Sequence, residues 1–91
     1  MKIYNQQESA VLLKDLKHWA FDDNAIVKNF KFKNFSESLS FIVQLGLLAE
    51  KANHHPEILN VYNKVQIKLS THDAGGVTDK DFELAKSVDL I

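Results

Sequence analysis

The chain has 91 residues, and its charges almost cancel, with 11 Lys and Arg against 12 Asp and Glu. A net charge of −1 argues against direct nucleic-acid binding through a clustered basic surface. The absence of cysteine excludes disulfides, cysteine zinc sites and thiolate nucleophiles. The length predicts one domain, residues 1–91, with a small core. The only side chains left that ordinarily titrate near neutral pH are the four histidines.

The chain carries no feature of a membrane or secreted protein. The N-terminal residues lack an apolar signal segment, and no apolar run approaches the ~20 residues that a membrane-spanning helix needs. We therefore expect a cytoplasmic protein without membrane contact. No repeat, low-complexity tract or linker interrupts the chain.

Apolar spacing and turn residues predict the elements of the first half of the chain. Apolar residues at helical spacing indicate a first helix over residues 9–18. The turn tripeptide at 22–24 separates two apolar stretches, 19–21 and 25–32, which predicts a β-hairpin. Ser36 is a favourable N-cap, so we expect a long helix to begin there and to end near residue 52.

Two further strands and a last helix are predicted beyond the long helix. A short extended segment follows Pro56, and Val65, Ile67 and Leu69 alternate with polar residues as in a half-buried strand. Residues 78–81 resemble a capping box at the start of a helix. The order α-β-β-α-β-β-α, with short turns between strands, predicts an α+β fold with helices on one face of an antiparallel sheet.

The long helix is apolar on two opposite sides. One sector of its helical wheel holds Leu39, Ile42, Val43, Gly46, Leu47 and Ala49, and the other holds Phe41, Leu45, Leu48 and Ala52. One sector can cover the sheet while the other would lie in water, which favours self-association over cover by the first helix or a loop. We place the first sector, which includes Glu50, on the core side. Glu50 must then be paired, protonated or at a cavity, unless it reaches solvent past the sheet edge.

Three histidines fall at the ends of predicted elements. His54 and His55 follow the long helix, and Pro56 ends that helix and makes His55 extended. Adjacent side chains on an extended segment point apart, so these two histidines are expected to have different roles. His72 follows the alternating strand, just before a Gly-Gly pair at 75–76 that permits positive φ and a close approach to a ligand.

The histidines leave three interpretations open. Surface histidines in turns account for His18, and account less well for a cluster beside Glu50, Asp73 and Asp81. A zinc site is disfavoured, because adjacent histidines diverge and the spacing supplies no fourth ligand. General acid–base catalysis without a metal or another cofactor suits imidazoles, which exchange protons near neutral pH. Composition and spacing lead to this kind of site and no further.

A longer motif narrows the choice. It consists of Glu50-Lys51-Ala52-Asn53-His54-His55-Pro56-Glu57, Val61-Tyr62-Asn63-Lys64-Val65, Leu69-Ser70-Thr71-His72-Asp73, Gly76 and Asp81. This motif strongly resembles the pterin-4a-carbinolamine dehydratase family, known in animals also as the dimerisation cofactor of a homeodomain transcription factor. The close match covers residues 50–81, and a looser match extends back through Trp19 to Leu12.

The resemblance implies a fold, an activity and an assembly. The fold is three helices on one side of a four-stranded antiparallel sheet, and the assembly is a homodimer or homotetramer in which sheets and long helices pair. The activity is dehydration of the pterin substrate 4a-hydroxytetrahydrobiopterin to quinonoid dihydropterin, which recycles the cofactor of aromatic amino-acid hydroxylases. The alternatives are a protein-interaction module that uses the long helix, or a related pterin or molybdopterin-linked activity.

The resemblance also implies site residues. The catalytic positions of the family match His54, His55 and His72. Substrate-binding or supporting roles are expected for Glu50, Pro56, Ser70, Thr71, Asp73 and Asp81. We expect His54 and His72 to exchange protons with the 4a-hydroxyl and N5 on the two sides of the pterin. His55 would bind and orient the ring, with Asp81 or Glu50 setting its tautomer.

Overall fold

The computed structural model describes residues 1–91 as three helices and a four-stranded sheet. In chain order the elements are α1 (Gln6–Leu13), β1 (Ala20–Asp22), β2 (Ala25–Lys31), α2 (Phe35–Ala52), β3 (Glu57–Val61), β4 (Lys64–Leu69) and α3 (Asp79–Val88). The strands are all antiparallel and lie in the order β1-β2-β4-β3. The predicted α+β class and element order are confirmed. None of the three helices combines the length and the apolar character needed to cross a membrane.

The first helix is shorter than predicted and begins earlier. α1 follows Asn5, whose side chain accepts a hydrogen bond from the Glu8 backbone N at 2.8 Å, while the Glu8 carboxylate accepts one from the Asn5 backbone N at 3.0 Å. These two hydrogen bonds form a capping box. The predicted end at His18 is wrong, because α1 ends at Leu13 and His18 has a φ of 66°, which no right-handed helix includes.

The long helix also begins earlier than predicted. Its N-cap is Asn34 and not Ser36, because the Asn34 side-chain oxygen accepts a hydrogen bond from the Glu37 backbone N at 2.9 Å. Asn and Ser are almost equally good N-caps, so residue preference alone does not separate two candidates two positions apart. The Glu37 carboxylate also accepts a hydrogen bond from the Lys33 backbone N at 2.9 Å, which holds the chain just before the helix.

The strands follow the predicted pattern closely. Asp23 and Asn24 both have positive φ, at 48° and 59°, which gives the two-residue turn that matches the twist of a β-hairpin. In β4, Val65, Ile67 and Leu69 are buried and face the helices, so the predicted alternation is confirmed. The other face of the sheet is mostly polar and faces solvent.

The face of α2 that packs on the sheet is opposite to the predicted one. Phe41 and Leu45 of the second sector are buried, and Ala49 is the one residue of the first sector that is buried as well. The ring of Phe41 lies 4.6 Å and 5.1 Å, between centroids, from the rings of Phe30 and Phe32. Both sectors of α2 are apolar, so periodicity does not choose between them. The sector with Phe41 buries the larger side chain against the aromatic end of β2, and that contact decides the orientation.

The sector of α2 that was assigned to the core is therefore largely exposed. Leu39, Val43 and Leu47 are 44%, 62% and 68% exposed. The placement of Glu50 on the core side is wrong for the same reason, and its side chain is 78% exposed. Leu39, Val43 and Leu47 recur every four residues and so form one apolar stripe along the outer surface of α2.

The end of α3 is attached to the sheet through Asp89. Its carboxylate accepts a hydrogen bond from Trp19 Nε1 at 3.0 Å and forms an ion pair with Lys28 Nζ at 2.8 Å. Lys28 lies on the helix-facing side of β2, and its ammonium is 4.8 Å from the centroid of the Phe30 ring. This half-buried cluster joins the N-terminal hairpin to the last helix.

The N-terminal residues are attached to the loop before α3. Tyr4 forms an isolated β-bridge with Val77, and its hydroxyl donates a hydrogen bond to the Asp79 carboxylate at 2.7 Å. That hydrogen bond is the main reason that the pKa of Tyr4 lies above its ordinary value. Ile3 packs so closely on Gly76 that a Cβ at position 76 would lie 2.8 Å from the Ile3 Cγ2, so a side chain there would require Ile3 to shift.

One buried hydroxyl supplies a stability test. Ser9 of α1 is fully buried and its Oγ has no hydrogen-bond partner, which costs about 1–3 kcal/mol. We expect Ser9→Ala to raise the free energy of unfolding by about 1 kcal/mol in urea denaturation. Ser38→Ala is the matched control, because Ser38 is equally buried but its Oγ donates to the Asn34 carbonyl at 3.3 Å, and its loss should destabilise. A lower unfolding free energy for Ser9→Ala would contradict the expectation.

Candidate active site

His54 is positioned by the way in which α2 ends. Asn53 is left-handed, with φ 51° and ψ 42°. Its backbone N–H donates to the Glu50 carbonyl at 3.1 Å, and the His54 N–H donates to the Ala49 carbonyl at 3.0 Å. These two hydrogen bonds form a Schellman motif, in which Asn is the usual substitute for Gly. The motif reverses the chain direction and leaves His54 buried against α3, at 9% exposure.

The buried partner of His54 is Asp81 in the first turn of α3. The His54 Nε2 lies 2.5 Å from Asp81 Oδ1. The other oxygen, Oδ2, accepts hydrogen bonds from the Thr78 backbone N and the Thr71 hydroxyl, both at 2.9 Å. The capping box predicted at 78–81 is therefore confirmed. One carboxylate thus starts α3, anchors the loop after β4 and holds a histidine.

The donors and acceptors of this network follow from its chemistry. A carboxylate only accepts, so Thr71 donates its hydroxyl proton to Asp81, and the Thr78 hydroxyl donates to Thr71 Oγ1 at 2.7 Å. By the same argument His54 donates from Nε2. A neutral His54 then has its lone pair on Nδ1, which makes no hydrogen bond to another residue.

His54 lines a cavity between the C-terminal half of α2 and α3. The cavity has a volume of about 370 Å³, within the range of ~300–1,000 Å³ that is typical of small-molecule sites. Its walls are formed by Leu48, Lys51, Ala52, His54, Lys80, Glu83, Leu84 and Ser87. The imidazole that is held by a buried carboxylate therefore borders a space large enough for a bicyclic ligand.

His55 lies outside the buried network. Its Nε2 is 2.8 Å from Glu50 Oε1, and the two side chains are 62% and 78% exposed. Of the two carboxylates predicted to partner His55, the structure pairs it with Glu50, while Asp81 pairs with His54. His55 and Glu50 therefore form a surface pair at the end of α2. An exposed pair of this kind contributes little to stability.

His72 lies in the turn after β4, next to the network. The Thr71 carbonyl accepts hydrogen bonds from the N–H groups of Ala74 and Gly75 at 3.1 Å and 2.9 Å, and Gly75 has a φ of 81°. The positive φ predicted for the Gly-Gly pair is thus present at Gly75. His72 is exposed, and its imidazole forms no hydrogen bond or ion pair. Its neighbour Thr71 is buried and contacts Asp81 directly.

The other predicted supporting residues are divided between different parts of the fold. Ser70 donates a hydrogen bond to the Asn24 carbonyl at 2.9 Å, so its hydroxyl contacts the β1–β2 turn and not the network. Asp73 is exposed and borders a second cavity of about 350 Å³, together with Thr71 and residues of the N-terminal segment. Pro56 is half-buried just before β3.

Three polar residues that α3 contributes to the cavity wall are not predicted from the sequence. Lys80, Glu83 and Ser87 of α3 all line the cavity that His54 borders. Their spacing of three and four residues places them on one side of the helix. That polar stripe is visible in the sequence, but nothing there shows that it faces α2 and not open solvent.

Comparison with known proteins agrees with this architecture. Residues 2–91 match the family model described as Pterin 4 alpha carbinolamine dehydratase. A Rhizobium johnstonii protein, provisionally named pterin-4-alpha-carbinolamine dehydratase, is 48% identical over 98% of this chain and 92% of its own length. A Sulfolobus acidocaldarius protein with the same provisional name is 46% identical over 87% of each chain.

A solved structure shows the same fold over almost the whole chain. The crystal structure of a transcriptional coactivator/pterin dehydratase from Brucella melitensis has a TM-score of 0.92 and 38% identity. The similarity covers 98% of this chain and 97% of that one. The α+β fold and the match over residues 2–91 define a protein of the pterin dehydratase class. The chain belongs to the pterin 4 alpha carbinolamine dehydratase family, as its motif indicates.

The left-handed conformation of Asn53 tests how His54 is positioned. A β-branched residue is strained there by roughly 1–2 kcal/mol, whereas glycine is not. We expect Asn53→Val to lower the free energy of unfolding by that amount and to change the imidazole NMR signals of His54. Asn53→Gly is the matched control and should keep both. If Asn53→Val keeps the stability and the His54 signals of wild type, the Schellman motif does not position the histidine.

Proposed function

We propose that this protein is a 4a-hydroxytetrahydrobiopterin dehydratase, a hydro-lyase that forms quinonoid dihydropterin and water. The observation that carries the proposal is the His54–Asp81 pair at a ligand-sized cavity, with the His54 Nδ1 free. Membership of the family supports the choice of a pterin substrate. A role in recycling tetrahydrobiopterin is part of the same proposal, because the family motif implies it.

The reaction needs only proton transfers. The C4a–O bond breaks and the hydroxyl leaves with an added proton as water, while N5 loses its proton and forms the C4a=N5 double bond. In the proposed mechanism His54 Nδ1 accepts the N5 proton. The Asp81 carboxylate stabilises the imidazolium that forms, because it already accepts from Nε2. General base catalysis of this kind is worth roughly 10²–10⁴-fold in rate.

His72 is the proposed general acid that protonates the departing hydroxyl. It is exposed and unpaired, and it directly follows Thr71 of the buried network, so it can supply a proton from solvent. His55 is proposed to bind and orient the pterin at the rim, where Glu50 accepts from its Nε2 and sets its tautomer. The buried and exposed histidines thus receive different tasks.

Turnover of synthetic 4a-hydroxytetrahydropterin by single variants tests the proposal. We expect His54→Ala to lower kcat by about 10²–10⁴-fold, because the base is lost. We expect His72→Ala to lower kcat as well, and His55→Ala to act mainly by raising KM. His18→Ala is the control, because His18 lies in a turn far along the chain from these residues.

The outcomes separate the activity from the role assignments. If the folded wild-type protein does not accelerate dehydration, the proposed activity is overturned. Near-wild-type turnover by His72→Ala would remove only the general-acid role of His72. An equal loss in the His18→Ala control would show that the assay reports folding and not chemistry.

We also propose that the protein forms a homodimer or homotetramer through its apolar surfaces. Leu39, Val43 and Leu47 form an exposed apolar stripe on α2. On the edge strand β3, Leu59 and Val61 are exposed as well, beside backbone groups that have no partner on that side. Exposed apolar surface on a small protein favours association, and the stripe on α2 also suits the alternative role of a protein-interaction module.

Sedimentation velocity at several concentrations measures this association. We expect wild type to sediment as a dimer or tetramer at micromolar concentration, and Leu47→Lys to shift the distribution to smaller species because it places a charge in the stripe. Val11→Lys is the matched control, since Val11 is 62% exposed on α1, away from the stripe. A wild-type monomer at high micromolar concentration would contradict the proposal.

A further inference from the structure

The hydroxyl of Thr71 makes its hydrogen bonds inside the protein. Thr71 is 6% exposed, and its hydroxyl donates its only proton to Asp81 Oδ2 at 2.9 Å. The same oxygen accepts a hydrogen bond from the hydroxyl of Thr78, which is fully buried and accepts in turn from the Lys80 backbone N at 3.3 Å. Because the Thr71 proton is committed to Asp81, it is not available to a ligand. This favours a positioning role for Thr71 over a role in substrate binding.

The hydrogen bond from Thr71 restrains the Asp81 carboxylate. Oδ2 accepts from the Thr71 hydroxyl and from the Thr78 backbone N, both at 2.9 Å. Of these two donors, only Thr71 lies outside the capping box of α3. Two donors on one oxygen oppose rotation of the carboxylate, so Oδ1 stays directed at the His54 Nε2, 2.5 Å away. The orientation of the His54 imidazole therefore depends on the hydroxyl of Thr71.

The main chain of Thr71 closes the loop that carries His72. The Thr71 N–H donates to the Gly76 carbonyl at 2.9 Å, and the Thr71 carbonyl accepts from the Ala74 and Gly75 N–H groups at 3.1 Å and 2.9 Å. Thr71 and Gly76 thus form an isolated β-bridge across the loop. The backbone of His72 is held within this closed turn. One residue therefore contacts the buried network through its side chain and the loop of His72 through its main chain.

We propose that Thr71, with Thr78 behind it, is a positioning residue that fixes the proposed base His54 relative to the proposed acid His72. The inference rests on the proposed function, because it takes these two histidines as the groups that exchange protons with the substrate. Two such groups act on one small ring only when their separation and their angles match it. Thr71 sets this geometry because its hydroxyl acts on one histidine and its main chain on the other.

Two substitutions of Thr71 separate its hydroxyl from its shape. Thr71→Val keeps the branched side chain and removes the hydroxyl. We expect it to lower kcat about tenfold, because the base is less well oriented, and to keep KM within about twofold of wild type, because the hydroxyl does not contact the substrate. Thr71→Ser keeps the hydroxyl, and its kcat should stay within about threefold of wild type.

The control variant is Ser38→Ala, which also removes a buried hydroxyl that forms a hydrogen bond. The Ser38 Oγ donates to the Asn34 carbonyl at the start of α2, at the opposite end of the helix from His54. Its loss should lower stability and leave kcat and KM unchanged. The control therefore shows how much of any effect of Thr71→Val comes from stability alone.

NMR spectroscopy tests the positioning of His54 without any turnover. The proton that His54 Nε2 donates to Asp81 is buried, so its exchange with water is slow enough for a separate imidazole N–H signal. We expect this signal at the same position in wild type, Thr71→Ser and Ser38→Ala, and shifted or lost in Thr71→Val. The Thr71 hydroxyl proton of wild type should also be protected from exchange, which is measurable even if Thr71→Val does not fold.

The outcomes distinguish this inference from the proposed activity. Wild-type turnover and a wild-type His54 signal in Thr71→Val overturn the positioning role, and so does a Thr71→Ser variant that behaves like Thr71→Val. An equal loss of kcat in Ser38→Ala, or a Thr71 hydroxyl proton that exchanges freely in wild type, overturns it as well. A wild type whose His54 signal depends on Thr71 but that does not accelerate dehydration overturns the activity and leaves the positioning of His54 by Thr71 intact.

Discussion

A single buried carboxylate, Asp81, joins the three parts of the chain that form the site. It receives donors from the loop after β4, from the N-cap residue of α3 and from the segment that follows α2. Burying a carboxylate without partners is strongly unfavourable, and here three donors and the N-terminal end of a helix compensate for the lost water. The contacts that hold α3 in place are therefore also the contacts that orient His54, and stability and chemistry depend on the same atoms.

Much of the fold could be predicted because local signals agree with the final structure. The alternation of Val65, Ile67 and Leu69, the turn at Asp23 and Asn24, and the capping box at 78–81 each depend on neighbouring residues alone. The orientation of α2 could not be predicted in this way. Both of its sectors are apolar, and the choice depends on contacts of Phe41 with Phe30 and Phe32 across the helix–sheet interface, which the periodicity of α2 alone does not contain.

The members of the site could be predicted, but not their pairing. The motif contains His54, His55, Glu50 and Asp81. It does not specify which histidine forms a hydrogen bond with which carboxylate. That choice depends on the left-handed backbone at residue 53, which turns His54 inward and leaves His55 outside. The residues Lys80 and Glu83 carry no motif signal at all, because a charged stripe on a helix is ordinarily just the solvent-facing side.

The contact between Trp19 and Asp89 has a consequence for how the protein is made. The two residues are 70 positions apart, and the bridge between Tyr4 and Val77 spans a similar interval. At a synthesis rate of roughly 5–20 residues per second, Trp19 waits roughly 4 to 14 seconds for its partner to be added. Through all of that time α3 is incomplete, and the edge of β2 has no β4 to pair with until residue 69 has been added. The N-terminal hairpin can therefore complete its contacts with the last helix only after almost the whole chain has been made.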